Sequence, residues 1–239
     1  MFRKLSTFPT AFLVAIFVAV TTVMPVSAQH TRPAKPVVSV LGDSYSTFEG
    51  YIPLGHAVWY TKRPDTKRTD VDDVKQTWWW QLISRGGYIL GQNDSYSGAT
   101  ISYRGYRGED YSDRSFITRL ANMTAPDILL IFGATNDSWA GVEVGEYNYD
   151  AEISGPQLYT FRPAMSRLLN DAVNRFPGTD IYVIINSELR DDIVESIRQI
   201  CDHYSVKYIQ LHDIDKKAGH PSRKGMDAIA TQVLEAIQK

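Results

Sequence analysis

The chain is poor in cysteine, in long apolar runs and in surplus charge, and each shortage excludes a class of protein. One cysteine, Cys201, stands in 239 residues, so no internal disulfide framework holds the fold. It falls in the series Ile193, Ile197, Ile200, Cys201, Tyr204, whose spacing is the apolar stripe of a helix and makes the thiol buried filler. Lys+Arg at 25 nearly balance Asp+Glu at 27, and a net charge of −2 gives no drive toward nucleic acid or anionic membranes. The five histidines, His56 and His203 among them, show no metal-ligand spacing. The apolar run Ala11 to Val20 is too short for a bilayer core, which needs about 20 residues.

What that run does offer is an export signal. Arg3 and Lys4 precede it, and Val26-Ser27-Ala28 follows with the small residues of a cleavage site. The sequence predicts removal of residues 1–28, a mature chain starting near Gln29, and a secreted or periplasmic protein without stable membrane insertion. No cysteine follows the run to carry a lipid anchor. The remaining residues, 29–239, suit one α/β domain, and 44% hydrophobic with 22% charged residues is ordinary for a globular protein.

Strands and helices alternate along that domain. Val37 to Leu41 and Asp127 to Phe132 are short apolar runs of buried strands; Ile181 to Ile185 and Val206 to Leu211 are two more, with a weaker strand near Tyr88 to Leu90. Helices are expected over Gln76 to Ser84, Ser112 to Met123, the stripe from Leu158 to Phe176 that Pro177-Gly178 ends, Asp191 to Tyr204, and Ser222 to Gln238. The alternation predicts a three-layer α/β/α fold, a flavodoxin-like, doubly wound, five-stranded parallel sheet with ligands beyond the carboxyl ends of its strands. Two long connections, Tyr45 to Lys75 and Ala140 to Pro156, exceed that plan and are the expected seat of selectivity.

Four segments that follow strands should therefore meet at one edge. They are Gly42-Asp43-Ser44, the run Asn93 to Thr100 with Gly98, the pair Asn136-Asp137, and His220-Pro221. A hydroxyl, a free backbone N–H, a carboxamide and an imidazole are the parts acyl transfer needs. Serine becomes nucleophilic when a base takes its proton, and histidine suits that work near neutral pH. The oxyanion that forms requires placed donors, which the Ser44 and Gly98 amides and the Asn136 side chain can supply. Asp43 and Asp137 are expected to bind loop backbone.

In these four blocks, spanning Gly42 to Pro221, the sequence resembles the SGNH (GDSL-type) hydrolases. The resemblance implies ester hydrolysis without metal or organic cofactor, with Ser44 as nucleophile, His220 as base, and Ser44, Gly98 and Asn136 as the oxyanion hole. It also implies an aspartate three residues before the histidine, where this chain has Lys217. Asp215 is the nearest upstream carboxylate and the favoured partner of His220, with Asp213 or a backbone carbonyl as alternatives. Ala134 departs too, at a position where glycine is common.

The substrate side is less marked. Trp78-Trp79-Trp80 opens a helix, so its rings diverge by about 100° and some pack inward. With Tyr45, Phe48, Tyr51, Trp59 and Tyr60 they form either core or an aromatic wall over a pocket, and such faces suit sugar rings. A small acyl ester of a carbohydrate, acetyl foremost, is the expected substrate. A lysophospholipase or thioesterase of the same fold, or a non-catalytic sugar-binding protein, is the alternative.

Overall fold

In strand β1 (Val37–Gly42), period two decides which layer each side chain joins. Val38 and Val40 enter the core on one face of the sheet, and Leu41 enters the core on the other. Strand β3 (Ile128–Gly133) divides in the same way, Leu130 and Phe132 against Leu129 and Ile131. Burial on both faces is what a central parallel strand requires. With β2 (Ile89–Ser95), β4 (Asp180–Ile185) and β5 (Lys207–Gln210) these form an all-parallel sheet ordered β2-β1-β3-β4-β5. This is the five-stranded, flavodoxin-like order that the sequence predicts, with its switch point between β1 and β3. The computed structural model describes residues 34–238, and the leader read at residues 1–28 lies outside the described residues.

Helices α1 (Trp78–Gly86) and α6 (Arg223–Ile237) cover one face of the sheet. Helices α2 (Phe116–Leu120), α4 (Phe161–Arg175) and α5 (Asp191–His203) cover the other. Their ends follow from local chemistry. The Thr77 hydroxyl caps α1, and Gly87 closes it at φ 68°. Asp191 and Asp192 sit in the first turn of α5, where they oppose the helix dipole. Ile193, Ile197, Ile200 and Cys201 all point inward, and burial pushes the Cys201 thiol up to about 12.

Several elements differ from expectation. Helix α2 is shorter than residues 112–123, because Asp110 binds the Ser112 amide in a turn and Ser115 caps the helix only at Phe116. Strand β2 runs through the polar residues Asn93 to Ser95, where pairing with β1 outweighs composition. Helix α3 (Thr135–Trp139) and a two-residue hairpin, β6 (Lys216–Lys217) with β7 (His220–Pro221), were not foreseen. Among the described residues no helix is long and apolar enough to cross a membrane.

Candidate active site

Four chain segments leave the carboxyl edge of the sheet around its switch point. After β1 the backbone turns at once: Asp43 accepts the Tyr45 amide at 3.0 Å and starts a short 3-10 turn over Ser44–Ser46. The turn needs Gly42, since a Cβ there would collide with the Ser95 and Ser46 side chains. Arg119, 2% exposed, braces the same edge from below, donating to the Gly42 carbonyl at 3.1 Å and to the Asp94 carboxylate at 3.1 Å.

Ser44 is buried, and its hydroxyl donates to Nε2 of His220 at 2.9 Å. The other ring nitrogen, Nδ1, lies 3.1 Å from the Ala218 carbonyl. A carbonyl only accepts, so Nδ1 carries the hydrogen and Nε2 presents its lone pair to the serine. Burial lowers the His220 pKa to about 4, with the positive charges of Arg68 and Lys216 acting in the same direction. The imidazole is therefore neutral, and able to take a proton, over the whole physiological range.

Asp215 does not orient this histidine. Ala218 and Gly219, at φ 47° and 76°, form the two-residue turn of the β6–β7 hairpin and place Lys217 opposite His220. Continued by one pair, the ladder sets Asp215 beside Ser222, whose amide donates to the Asp215 carbonyl at 3.0 Å and whose hydroxyl donates to its carboxylate. Asp213 binds the neighbouring His212 at the surface. Of the three partners the sequence left open, the backbone carbonyl is the one within reach.

The expected oxyanion donors are together at the same edge. The Ser44 and Gly98 amides have no hydrogen-bond partner among the described residues, and Gly98 sits at φ 88° in a turn closed by Ala99 N–H to Tyr96 carbonyl. Asn136 stands in the first turn of α3 and gives one amide hydrogen to the Ala99 carbonyl at 2.9 Å. Its Oδ1 accepts from the Tyr106 hydroxyl at 2.8 Å, which sets the orientation of the carboxamide and leaves its second hydrogen free. Asp137 accepts the Ile101 and Ser102 amides at 2.8 and 3.0 Å, fastening the Gly98 segment to α3. Burial raises Asp137 to about 6 and Asp43 to about 7. Both carboxylates serve loop backbone, as expected. Ala134, where glycine was expected, adopts φ 69°, the left-handed conformation that favours glycine.

Residues 36–237 match the family model described as GDSL-like lipase/acylhydrolase. The chain belongs to this family. It is a hydrolase of the SGNH, or GDSL, type. A solved structure described as a GDSL-like lipase from Bacteroides ovatus ATCC 8483 is 50% identical, with a TM-score of 0.83 over 86% of this chain and 99% of that one. Another, from Bacteroides uniformis ATCC 8492, is 46% identical, with a TM-score of 0.82 over 85% and 96%. A family two carbohydrate esterase from Clostridium thermocellum, solved with cellohexaose, shares the fold at 12% identity, with a TM-score of 0.60 over 87% and 65%. No curated protein matches the chain significantly.

Trp139 and Tyr106, beside this GDSL-type site, had no signal in the sequence, while Tyr45 and Tyr60 were expected as core or as an aromatic wall. Trp139 lies 45% exposed with its ring 5.7 Å from that of His220. Tyr45 and Tyr60 donate to the Gly219 and Pro221 carbonyls at 2.6 and 2.9 Å, pinning the histidine hairpin on both sides. Of the tryptophan triplet, Trp78 and Trp79 are wholly buried and belong to the core. Helical spacing could have indicated that much, but Tyr106 and Trp139 reach the site only through the fold.

Proposed function

We propose that this GDSL-type hydrolase is an esterase that removes small acyl groups, acetyl foremost, from carbohydrate. The observation that carries the reading is the 2.9 Å contact between Ser44 Oγ and an unprotonated His220 Nε2. Ser44 attacks the ester carbonyl while His220 takes its proton. The oxyanion rests on the Ser44 and Gly98 amides and on the free Asn136 hydrogen. His220 then returns the proton to the leaving alcohol, and water hydrolyses the acyl-enzyme by the same route in reverse. The pair acts as a dyad, with the Ala218 carbonyl holding the tautomer.

Two features support a sugar substrate with a short acyl group. Trp139 offers an exposed, flat face beside the base, and such faces stack on the C–H side of sugar rings. An apolar cavity of about 340 Å³ does exist, but Trp79, Trp80, Ile83, Tyr88 and Leu90 line it, on a different part of the surface from Ser44. A lysophospholipase would want such a cavity at the nucleophile. Hydrolysis of a panel of acetylated glycans, beside esters of increasing chain length, tests the reading. Acetyl esters should dominate and Ser44→Ala should abolish turnover; preference for long-chain esters would overturn the substrate class. We also propose export with loss of residues 1–28, tested by the intact mass of protein from its native host. A mass that includes those residues would refute it.

A further inference from the structure

The long connection after the nucleophile forms a strap across the site, and both of its sides are tied. On one side the Ser97 amide donates to the Ala57 carbonyl at 2.9 Å, next to the Gly98 turn. On the other, the strap lays Trp59 flat on His220, ring centroids 3.5 Å apart at 9°. The Arg68 guanidinium covers the far face of the same indole at 4.1 Å. Trp59 therefore has both faces occupied, which removes it from the wall open to a sugar.

The three layers, Arg68, Trp59 and His220, sit where the histidine has lost a partner. One hydrogen bond from Nδ1 to a carbonyl two residues upstream sets the tautomer but leaves the ring free to tilt about that bond. A planar indole pressed on its face removes the tilt. Lys217, which stands three residues before His220 in place of an aspartate, donates to the Thr66 carbonyl of the strap at 2.6 Å. Arg223, at the start of α6, holds the strap further on through Asp70 and Asp72, at 2.9 and 2.7 Å. The residue that replaces the missing carboxylate thus fastens the segment that carries Trp59.

We propose that Trp59, backed by Arg68 and tied down through Lys217, is the positioning residue that fixes the His220 imidazole in the absence of a carboxylate partner. The inference rests on His220 being the general base. The stack also sets the charge of that base. The indole keeps water from one face of the ring, and Arg68 lies roughly 7 to 8 Å from it across the stack, close enough to oppose protonation. The other groups facing the imidazole are the Tyr45 ring and hydroxyl from the serine turn, Tyr60 from the strap, and Trp139 from α3. Lys216, on the hairpin, is held by Glu188 at 2.9 Å, and among the described residues no carboxylate is bonded to the ring.

The test is the pH profile of kcat/KM on an acetyl ester, with the His220 titration read by NMR in the inactive Ser44→Ala protein. Wild type should show an acid limb near pH 4. Trp59→Leu should move the limb and the titration up by about a unit or more and lower kcat at least about tenfold, a fraction of what a well-placed base contributes. Trp59→Phe should restore most of both. Arg68→Gln, at an exposed side chain, should raise the limb by about 0.4 of a pH unit. Wild-type limb and kcat in Trp59→Leu would overturn the proposal. So would an unmoved titration in Arg68→Gln, which decides the matter if Trp59→Leu does not fold. A protein inert toward every ester and toward fluorophosphonate fails the catalytic reading itself, whereas an active one whose limb ignores Trp59 and Arg68 fails only the present inference.

Discussion

Asn136 and Asp215 were both assigned to chemistry on sequence position, and their surroundings separate them. Asn136 has its carboxamide locked from two sides by Tyr106 and Ala99, with one hydrogen left over. Such a donor acts mainly as negative charge develops, so Asn136→Ala should lower kcat about 10²- to 10³-fold with little change in KM. A change confined to KM would make the side chain a substrate-binding group instead. Asp215 spends its carboxylate on the hydroxyl of Ser222, the capping residue of α6. Asp215→Asn keeps an acceptor there, and kcat/KM should stay within about threefold of wild type, the scale of one neutral hydrogen bond. A loss of about 10²-fold or more on the same ester would restore the aspartate as the partner of His220.

The hairpin Lys216–Pro221 is the element that the sequence concealed. Lys-Lys-Ala-Gly-His-Pro has no alternation of apolar residues, and its turn places an alanine at φ 47°, where Asn or Gly is the usual signal. Without the hairpin, chain distance alone made Asp215 the best partner, yet antiparallel pairing carries it past His220 to Ser222. Strands β1, β3, β4 and β5, by contrast, were legible because a buried strand declares itself by an apolar run of the right length, whereas mostly polar β2 showed only its first residues. Helix α6 depends on the same hairpin: Gly225 packs so closely on the Asp215 carbonyl that an added Cβ would overlap the oxygen. Gly225→Ala should cost about 1 to 3 kcal/mol through that overpacking, and lower Tm by roughly 2–4 °C per kcal/mol. An unchanged melting curve would mean that the hairpin can retreat freely, which the Tyr45 and Tyr60 hydrogen bonds to its carbonyls oppose.

Over the whole molecule, the topology explains why four scattered short motifs could be read together. Strand order β2-β1-β3-β4-β5 brings the ends of β2, β1 and β3 side by side, so Gly98, Ser44 and Asn136 converge from stretches far apart in the chain. The hairpin before α6 then delivers His220 from the far end of the sequence. Of the supporting residues, Tyr106 and Trp59 come from loops and Arg119 and Trp139 from the short helices α2 and α3, and no local pattern announces where a loop side chain will land. What the topology assembles is a serine whose proton is already directed at a neutral base. That claim is tested most directly by exposing the intact protein to a fluorophosphonate and locating the adduct by mass spectrometry, since only an activated serine reacts. A single adduct on Ser44 is predicted, absent in Ser44→Ala and formed far more slowly in His220→Ala. No adduct on wild type, or labelling that persists unchanged without His220, would contradict it.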